Sequence, residues 1–407
     1  MQKHKKYLLT VSIFVLSLLL VIGFFNYLVD PYGPFRFIDV KGFNQQKEGT
    51  RSLIRYVKAL EMPLRKPRTI LIGSSRVHDG INPEHPLLQE YPPVYNMGIN
   101  MLRIREAYEY LKHCTINSPI KRVVFGIDFF MFNAAEEVNP SFDSALVGRK
   151  IGVWDYLHTP LYTQDALNGA LATLKISRKQ AERREFLSNG YRPGQFVFYK
   201  LKDYRKLHYN TNAIFLTNKP GATPYYASFK ISEETYRLFE KFIVLCKERN
   251  IDLKIFISPA HANLDGEGIL AAGLWKELEE WKRKITEICH QQKVVLWDFS
   301  GYNSVTTETV RTPMQYYWDS SHYTEKTSDL ILTRLFSSSD KTQKMPADFG
   351  VVLTPQNIEE HLSAIRAARS LYARTHGEDV RTIEKIYRDG KKGFPIPAEQ
   401  TVGIFDQ

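Results

Sequence analysis

Short apolar runs alternate with stretches of helical periodicity through the middle of the chain, and this alternation limits the fold more than any other feature. The runs typical of buried strands are Thr69–Ile72, Val94–Met97, Val123–Phe125, Leu253–Ser258 and Val294–Trp297. Between them, Arg105–His113, Ser232–Arg249 and Trp275–His290 carry apolar residues at helical spacing. Strands that alternate with helices predict an α/β fold whose mainly parallel sheet is covered by helices on both faces. In such sheets the active site forms beyond the carboxyl ends of the strands.

The N-terminal end differs in composition from the rest of the chain. Lys3, Lys5 and Lys6 precede an apolar run over Tyr7–Val29. A helix over this run, at about 1.5 Å per residue, would cover the roughly 30 Å hydrocarbon core of a bilayer. A cleaved signal peptide is the alternative, but it would have a shorter apolar region and a small-residue cleavage site, which this stretch lacks. The pattern therefore favours an uncleaved membrane anchor.

The charges around this run predict its orientation. Because the basic cluster lies before the span, the positive-inside rule places the N-terminus in the cytoplasm and exports the residues after Val29. We therefore expect a single-pass membrane protein whose catalytic domain is extracytoplasmic, in the periplasm or at the cell surface. The formal net charge of +11 suggests an anionic partner. Outside the cytoplasm this partner would be a glycan or lipid headgroups, and not nucleic acid.

The composition divides the chain into segments with different expected roles. These are a cytoplasmic basic end (1–6), the anchor (7–29), a helical lead-in (30–67), a catalytic domain (68–336) with an insertion at about 134–227, and a helical C-terminal extension (337–407). Within the insertion, Lys175–Tyr209 is rich in basic and aromatic residues. Two interpretations stay open for this stretch, a solvated cap and a lid or groove for an anionic polymer or membrane surface.

Three cysteines, Cys114, Cys246 and Cys289, lie in or beside helix-like stretches without a CxxC spacing. A small buried apolar role is the common one for such residues, although one disulfide is compatible with export. Histidines at ligand spacing, HExxH and Cys-His patterns are absent from the sequence, as are a P-loop and a GxGxxG motif. We therefore predict neither a metal nor a cofactor.

Two separate stretches supply the parts of a nucleophilic serine site. Gly73-Ser74-Ser75 follows the first strand-like run, and Trp318–His322 places Asp319 and His322 three positions apart. A serine hydroxyl becomes nucleophilic when an imidazole takes its proton, and a carboxylate orients that imidazole. This order predicts His322 as the general base and Asp319 as the residue that orients it.

Each of these residues also has a structural interpretation. A serine in a strand-to-helix turn is often a helix N-cap, and Asp319 is a candidate N-cap for a helix over Lys326–Leu335. The rival bases are His78, which we expect to be a loop neighbour of the serine, and His261, which we expect to line the pocket.

Four blocks in order resemble those of the SGNH (GDSL-like) hydrolase superfamily. They are Gly73-Ser74-Ser75, Asn96–Asn100, Gly126-Ile127-Asp128 and Asp319-x-x-His322. The resemblance covers roughly 68–336 without the insertion, and it is strongest to the exported, membrane-anchored acyltransferases of teichoic-acid alanylation and alginate acetylation. It implies a flavodoxin-like three-layer sandwich and identifies the third residue of the first block, Ser75, as the nucleophile. Ser74 stands where the wider superfamily has aspartate.

The same resemblance implies an oxyanion hole. The backbone N–H groups of Ser75 and Gly98 match the first two donors of the family. The third donor is normally an asparagine, but here the position holds Asp128, whose carboxylate cannot donate unless it is protonated. Two alternatives stay open: either Asn100 or Asn96 replaces this donor, or Asp128 serves turn geometry or acceptor binding instead.

Three functions are compatible with these features. The first is an extracytoplasmic serine acyltransferase that acts on a cell-envelope polymer or glycan through an acyl-Ser75 intermediate. A membrane-embedded protein would then supply the acyl group. The second is an esterase that uses water as acceptor with the same residues, and the third is a catalytically silent glycan-binding or assembly subunit. The anchor and the basic insertion favour the first.

Overall fold

The computed structural model describes residues 2–135, 138–180, 184–194, 203–217, 225–226, 228–337 and 345–391. Within these residues six strands form one sheet in the order β2-β1-β3-β4-β5-β6. The strands are β1 (Thr69–Ile72), β2 (Val94–Asn96), β3 (Arg122–Ile127), β4 (Asp252–Ile257), β5 (Leu296–Asp298) and β6 (Val351–Leu353). The first five are parallel, and β6 runs antiparallel beside β5. The predicted α/β fold with a mainly parallel sheet is confirmed.

The helices before the insertion are α1 (Gln2–Val29), α2 (Glu48–Ser52), α3 (Ile54–Arg65), α4 (Ser75–Gly80) and α5 (Ile104–Asn117). Those within the insertion are α6 (Val153–Tyr162), α7 (Gln164–Lys179) and α8 (Tyr204–Leu216). The later helices are α9 (Glu233–Glu248), α10 (Ile269–Ala271), α11 (Trp275–Gln291), α12 (Glu325–Phe336), α13 (Ile358–Thr375) and α14 (Gly377–Lys391). A π-helical turn, Asn263–Gly268, precedes α10.

Both faces of the sheet are buried, which explains why its central strands are continuous apolar runs. Successive side chains on a strand point to opposite faces. Accordingly, Ile70 and Ile72 of β1 join one core cluster with helices α3, α5 and α9, whereas Leu71 joins a second cluster with α4 and α12. A strand buried on both sides needs apolar residues at every position, and all four residues of β1 are buried.

The three cysteines contribute to this core as small apolar side chains. Cys114, Cys246 and Cys289 are buried in α5, α9 and α11, and all three are free thiols. Burial raises the pKa of each thiol. The disulfide that the sequence left open is not formed.

Helix α1 is long and apolar enough to cross a membrane, and its last turns are fixed to the insertion. The helix has 28 residues, and its side chains are exposed from Lys3 through Val21. Beyond this point Gly23 packs so closely against the Tyr162 ring of α6 that a Cβ would overlap it. The Asn26 side-chain amide also donates to the Leu161 carbonyl oxygen at 2.8 Å. The insertion therefore supports the end of the apolar helix.

Part of the basic stretch Lys175–Tyr209 is structural. Residues 181–183 and 195–202 lie outside the described residues. Arg192 is buried in an ion pair with Asp79 of α4 at 2.6 Å, and the Tyr191 hydroxyl donates to Glu325 of α12 at 2.8 Å. These two side chains therefore hold the insertion against the core, while the basic residues at the C-terminal end of α7 are exposed.

The C-terminal extension packs on the body of the protein. Its strand β6 extends the sheet, a role that the sequence did not predict because three residues are too few to show an alternating pattern. Helix α13 lies on α11, where Glu359 pairs with Arg283 at 2.5 Å. Further along, the Tyr372 hydroxyl donates to Asn263 Oδ1 at 2.6 Å. The extension is thus attached at both its strand and its helix.

Replacing Leu362 of α13 tests this attachment. Leu362 is 2% exposed, so Leu362→Ala should lower the free energy of unfolding by about 2–5 kcal/mol, since the change leaves a cavity. Leu371→Ala on the same helix is the matched control, because Leu371 is 56% exposed and its loss should cost no more than about 0.5 kcal/mol. Urea unfolding of the detergent-solubilised chain measures both values. Equal effects would mean that α13 is not packed on the body.

Candidate active site

Ser75 lies where β1 ends and α4 begins, at the carboxyl edge of the sheet. Gly73 makes the turn possible, because a Cβ there would lie 2.8 Å from the Gly126 carbonyl oxygen. Ser74 is the N-cap of α4, and its hydroxyl accepts the Arg76 N–H at 3.2 Å. Of the two serines, Ser74 therefore serves the helix, and the Ser75 side chain faces the opposing loop.

That opposing loop carries Asp319 and His322 in a tight buried turn. The Trp318 N–H donates to the His322 carbonyl oxygen at 2.8 Å, and Tyr317 and Tyr323 form an antiparallel bridge at its base. Inside the turn, the Asp319 carboxylate accepts the backbone N–H of Ser321 at 2.7 Å and that of His322 at 2.8 Å. The turn thus fixes the carboxylate before it meets the imidazole.

The structure brings the three predicted residues into one hydrogen-bonded chain. Ser75 Oγ lies 2.8 Å from His322 Nε2, and His322 Nδ1 lies 2.9 Å from Asp319 Oδ2. An ionised carboxylate only accepts, so Nδ1 carries the proton and the lone pair of Nε2 can accept the proton of the serine hydroxyl. This is the tautomer that a general base for Ser75 requires.

The electrostatics of Asp319 suit the role of orienting this imidazole. Burial acts to raise the pKa of its carboxyl. The His322 imidazole and the two backbone N–H donors outweigh burial and hold this pKa below its ordinary value. Asp319 therefore stays ionised near neutral pH and stabilises an imidazolium at His322.

The alternative role for Asp319, as a helix N-cap, is wrong. Helix α12 begins at Glu325, and Thr324 occupies its N-cap position. The Asp319 carboxylate instead binds the backbone of its own turn and the His322 ring. The acid therefore belongs to the site and not to the helix.

Neither rival histidine reaches Ser75 as a base. The sequence predicted His78 in a loop, but the residue lies in α4. Its ring is buried against Phe186, and its Nδ1 faces Asn100 Oδ1 at 3.4 Å. His261 Nε2 donates to the Glu308 carbonyl oxygen at 2.6 Å, and its Nδ1 accepts the Asn263 N–H. Both ring nitrogens of His261 are therefore occupied. Burial lowers the pKa of His261 to about 4.

The predicted backbone donors of the oxyanion hole are not equivalent. Ser75 is the first residue of α4, so its N–H has no carbonyl partner within the helix. The Gly98 N–H, in contrast, donates to Asn96 Oδ1 at 2.8 Å. The Asn96 amide donates in turn to the carbonyl oxygens of Val77 and Ile81. Gly98 and Asn96 therefore hold the turn beside α4, and their expected part in an oxyanion hole stays a prediction.

Asp128 is also engaged elsewhere. It is buried, and its Oδ1 accepts from Arg76 Nη1 at 2.8 Å. Burial raises the pKa of the Asp128 carboxyl, although the Arg76 guanidinium opposes this shift. The carboxylate thus holds an arginine beside Ser75, and its expected place in the oxyanion hole stays a prediction. The Asn100 side chain remains the candidate for the side-chain donor.

Arg76 is the residue that sequence analysis missed. Its guanidinium is 1% exposed and lies between two carboxylates, Asp128 at 2.8 Å and Asp265 at 2.7 Å. Its Nε donates to Ser321 Oγ at 3.1 Å, and the Tyr226 hydroxyl donates to Asp265 Oδ1 at 2.9 Å. Burial alone would lower the pKa of Arg76, but the two carboxylates raise it. A basic residue directly after the serine, with an acid in place of the family asparagine, was the available signal.

Lys58 of α3 fixes the other side of the site. Its buried Nζ donates to three carbonyl oxygens, those of Asn96 at 2.7 Å, Gly98 at 2.6 Å and Gly190 at 3.0 Å. Burial holds the pKa of this amine well below its ordinary value. Lys58 thus ties the turn after β2 to the insertion and positions the turn beside α4.

No protein-family model matches this chain, and a search of curated proteins finds no match. Within the described residues no group of histidine, cysteine and acidic side chains has the geometry of a metal site. The likeness to the SGNH superfamily therefore stays a prediction carried by the four sequence blocks.

Arg76→Met tests the ion-pair network. It strands two carboxylates that pair with this arginine, so the free energy of unfolding should fall by about 3–5 kcal/mol. Arg237→Met is the matched control, because the Arg237 side chain is 64% exposed and surface ion pairs contribute about 0–1 kcal/mol. Urea unfolding at pH 7 measures both.

The pH dependence of this deficit identifies its cause. Without Arg76, nothing opposes the burial that raises the folded-state pKa of the Asp128 carboxyl above its unfolded value, so protonation favours the folded variant. The difference from the unmodified protein should shrink as the pH falls from about 7 to about 5. A deficit that is independent of pH would mean lost packing and not stranded charge.

Proposed function

We propose that this protein is a membrane-anchored, extracytoplasmic serine acyltransferase that modifies a cell-envelope polymer through an acyl-Ser75 intermediate. The observation that carries this proposal is the chain of 2.8 Å and 2.9 Å contacts from Ser75 Oγ through His322 to Asp319. It stands at the carboxyl edge of a parallel sheet, where α/β enzymes place their active sites. Ser75 itself is only partly buried, so a substrate can reach its hydroxyl.

The first half of the reaction forms the acyl-enzyme. His322 Nε2 takes the Ser75 proton while Oγ attacks the carbonyl carbon of the acyl donor, and Asp319 stabilises the imidazolium that results. The tetrahedral intermediate then expels the leaving group, which takes the proton from Nε2. In the second half, Nε2 takes the proton of an acceptor hydroxyl that attacks the acyl-Ser75 carbonyl carbon. Its collapse returns the proton to Ser75 Oγ and releases the acylated acceptor.

The proposed oxyanion hole differs from the family pattern. The Ser75 N–H, free at the start of α4, is the first donor. We assign the side-chain donor to Asn100, whose Oδ1 faces the His78 ring, so that its amide nitrogen is turned away from this ring. The fixed positions of Asn96 and Gly98 then serve to place Asn100 and not to bind the oxyanion.

Membership of the SGNH superfamily is part of the proposal. The sheet order β2-β1-β3-β4-β5 is that of flavodoxin-like doubly wound folds. Ser75 follows the first strand, the Asn96–Asn100 turn follows the second, and Asp128 follows the third. This is the order in which the superfamily presents its first three blocks.

A membrane-spanning α1 would place the domain near an acyl donor and an acceptor in the cell envelope. Helix α1 would span the bilayer with its basic end in the cytoplasm. Its last turns pack on the insertion, which keeps the domain close to the membrane surface. A membrane-embedded partner that passes acyl groups outward is the donor that suits this placement, and a glycan with free hydroxyls is the acceptor.

Single substitutions in the proposed triad test the chemistry. Ser75→Ala, Asp319→Asn and His322→Ala should each lower turnover by about 10⁴-fold, because a triad acts as a unit. Combining all three should cost little more than the worst single change. Ester hydrolysis and acyl transfer to an added glycan are both assayed, so that an enzyme that only hydrolyses is recognised.

The neighbouring serine supplies the control. Ser74→Ala removes an N-cap, so it should lower stability by about 1 kcal/mol and leave Ser75 reactive. Intact-mass analysis after treatment with a fluorophosphonate should find one adduct on Ser75 in the unmodified chain and in Ser74→Ala. No adduct should form in Ser75→Ala. An adduct that survives Ser75→Ala would place the nucleophile elsewhere.

The topology is tested independently of the chemistry. A reporter enzyme that is active only outside the cytoplasm, fused after Gln407, should be active and should sediment with membranes. Deleting Lys3, Lys5 and Lys6 should weaken this orientation, since it rests on the basic cluster. A soluble exported protein that begins near Asp30 would show that the apolar run is cleaved.

A further inference from the structure

A cavity lies between α8 and the junction of α13 with α14. Its volume is about 440 Å³, within the range of small-molecule sites. Neither Ser75 nor His322 is among the described residues that line it. The cavity is therefore distinct from the site proposed for acyl transfer.

One face of α8 forms the floor of this cavity. Arg205, His208, Tyr209 and Asn212 line it at positions i, i+3, i+4 and i+7 of the helix, the spacing of a single helical face. Such a stripe normally buries apolar side chains against a core. Here it carries hydrogen-bonding groups, which is typical of a surface that binds a polar ligand.

Two of these side chains are buried without a partner. His208 is 3% exposed and Asn212 is 2% exposed. Neither ring nitrogen of His208, nor Oδ1 of Asn212, makes a hydrogen bond to the protein. An unsatisfied buried polar atom costs about 1–3 kcal/mol, so native proteins retain few of them without a bound partner. Both side chains line the cavity, and their unpaired atoms lie just below its surface, so a ligand supplies the missing bonds once the side chains rotate toward it.

The chemistry of the lining selects the ligand. Burial, together with His261, holds the pKa of His208 well below its ordinary value, so the ring is neutral and offers one donor and one acceptor. Asn212 offers the same pair. At the rim, the acidic Glu378 and Asp379 offset the basic Arg205, which disfavours a strongly charged ligand of either sign. Sugar hydroxyls donate and accept at once and carry no charge.

We propose that this cavity binds a neutral sugar residue, as a free saccharide or as one unit of a glycan chain. Its floor lies near the Trp318–His322 turn. The His208 ring meets that of His261 at 4.9 Å, and the His261 N–H donates to the Ser320 carbonyl oxygen at 3.0 Å. A sugar bound here lies behind the turn that carries Asp319. Saccharide binding in this cavity requires no acyl transfer, so it can be tested independently of the proposed transferase.

Calorimetric titration of the full chain in detergent tests the binding. The probes are glucose, galactose, N-acetylglucosamine and their 1,4-linked disaccharides, with inorganic phosphate as the charged counterpart. We expect at least one saccharide to bind and phosphate not to compete. A longer oligosaccharide that binds at least tenfold more tightly than its free sugar identifies a glycan unit as the occupant, and equal affinity identifies a free saccharide. Failure of all saccharides, or competition by phosphate, overturns the proposal.

Asn212→Leu separates binding from folding. It removes an unsatisfied buried oxygen at nearly constant volume, so it should raise the melting temperature of the ligand-free chain while saccharide binding falls at least tenfold. If Asn212 has only a structural role, the melting temperature should change while saccharide binding stays the same.

A plug at the rim tests the same cavity without touching the core. Thr309 is exposed and lines the cavity, so Thr309→Arg should block binding with a normal melting temperature. Ser363→Arg, at an exposed position of α13 outside the lining, is the matched control and should bind normally. Unchanged binding in both Asn212→Leu and Thr309→Arg would place the saccharide elsewhere and overturn the proposal.

Discussion

The buried guanidinium of Arg76 is the interaction on which the arrangement of the site depends. It joins the ends of three segments that are distant in sequence, through Asp128 after β3, Asp265 after β4 and Ser321 in the catalytic turn. Arg76 directly follows Ser75, and Ser321 directly precedes His322. Its bonds therefore help to set the distance between Ser75 and His322 as well as the packing of the sheet edge. Such a network is stable only when each charge is paired, because a buried charge without a partner costs several kcal/mol.

The fixed Arg76 side chain also explains how Ser75 is held in one position although α4 is short. Helix α4 has only six residues, too few to be stable by itself. Three contacts hold it in place, from the Asn96 amide to its carbonyl oxygens, from Arg192 to Asp79, and from Arg76 to the acids. The Ser75 N–H is left without a helical partner at the one end where an oxyanion would form. A rigid turn around an unsatisfied donor is the arrangement that the proposed acyl transfer would require.

The local parts of this structure were predictable from the sequence, and the long-range parts were not. Buried parallel strands are continuous apolar runs, so β1 was placed at its observed bounds. Asp319 and His322 meet because they are three positions apart in one tight turn. The partners of Asp128 could not be predicted, since a charged side chain in a sequence does not reveal whether it is solvated or paired. Arg76 and Asp128 are 52 positions apart, and they meet only because the ends of the parallel strands β1 and β3 lie side by side. The strand β6 was missed for a related reason, because three apolar residues form a strand only beside an existing edge.

The C-terminal extension shows how far such long-range dependence extends. Its His361 donates to Asp298 at the end of β5, a buried carboxylate that also pairs with Lys282. Burial would raise the pKa of Asp298, but these two partners lower it and keep the acid charged. The extension therefore stabilises the same sheet edge that carries Ser75, three strands away. Beyond it, the turn between α13 and α14 faces α8 across the cavity proposed to bind a saccharide. The extension thus contacts the neighbourhood of the Trp318–His322 turn through the loop after β4, where the Tyr372 hydroxyl donates to Asn263 Oδ1 and the His261 N–H donates to the Ser320 carbonyl oxygen.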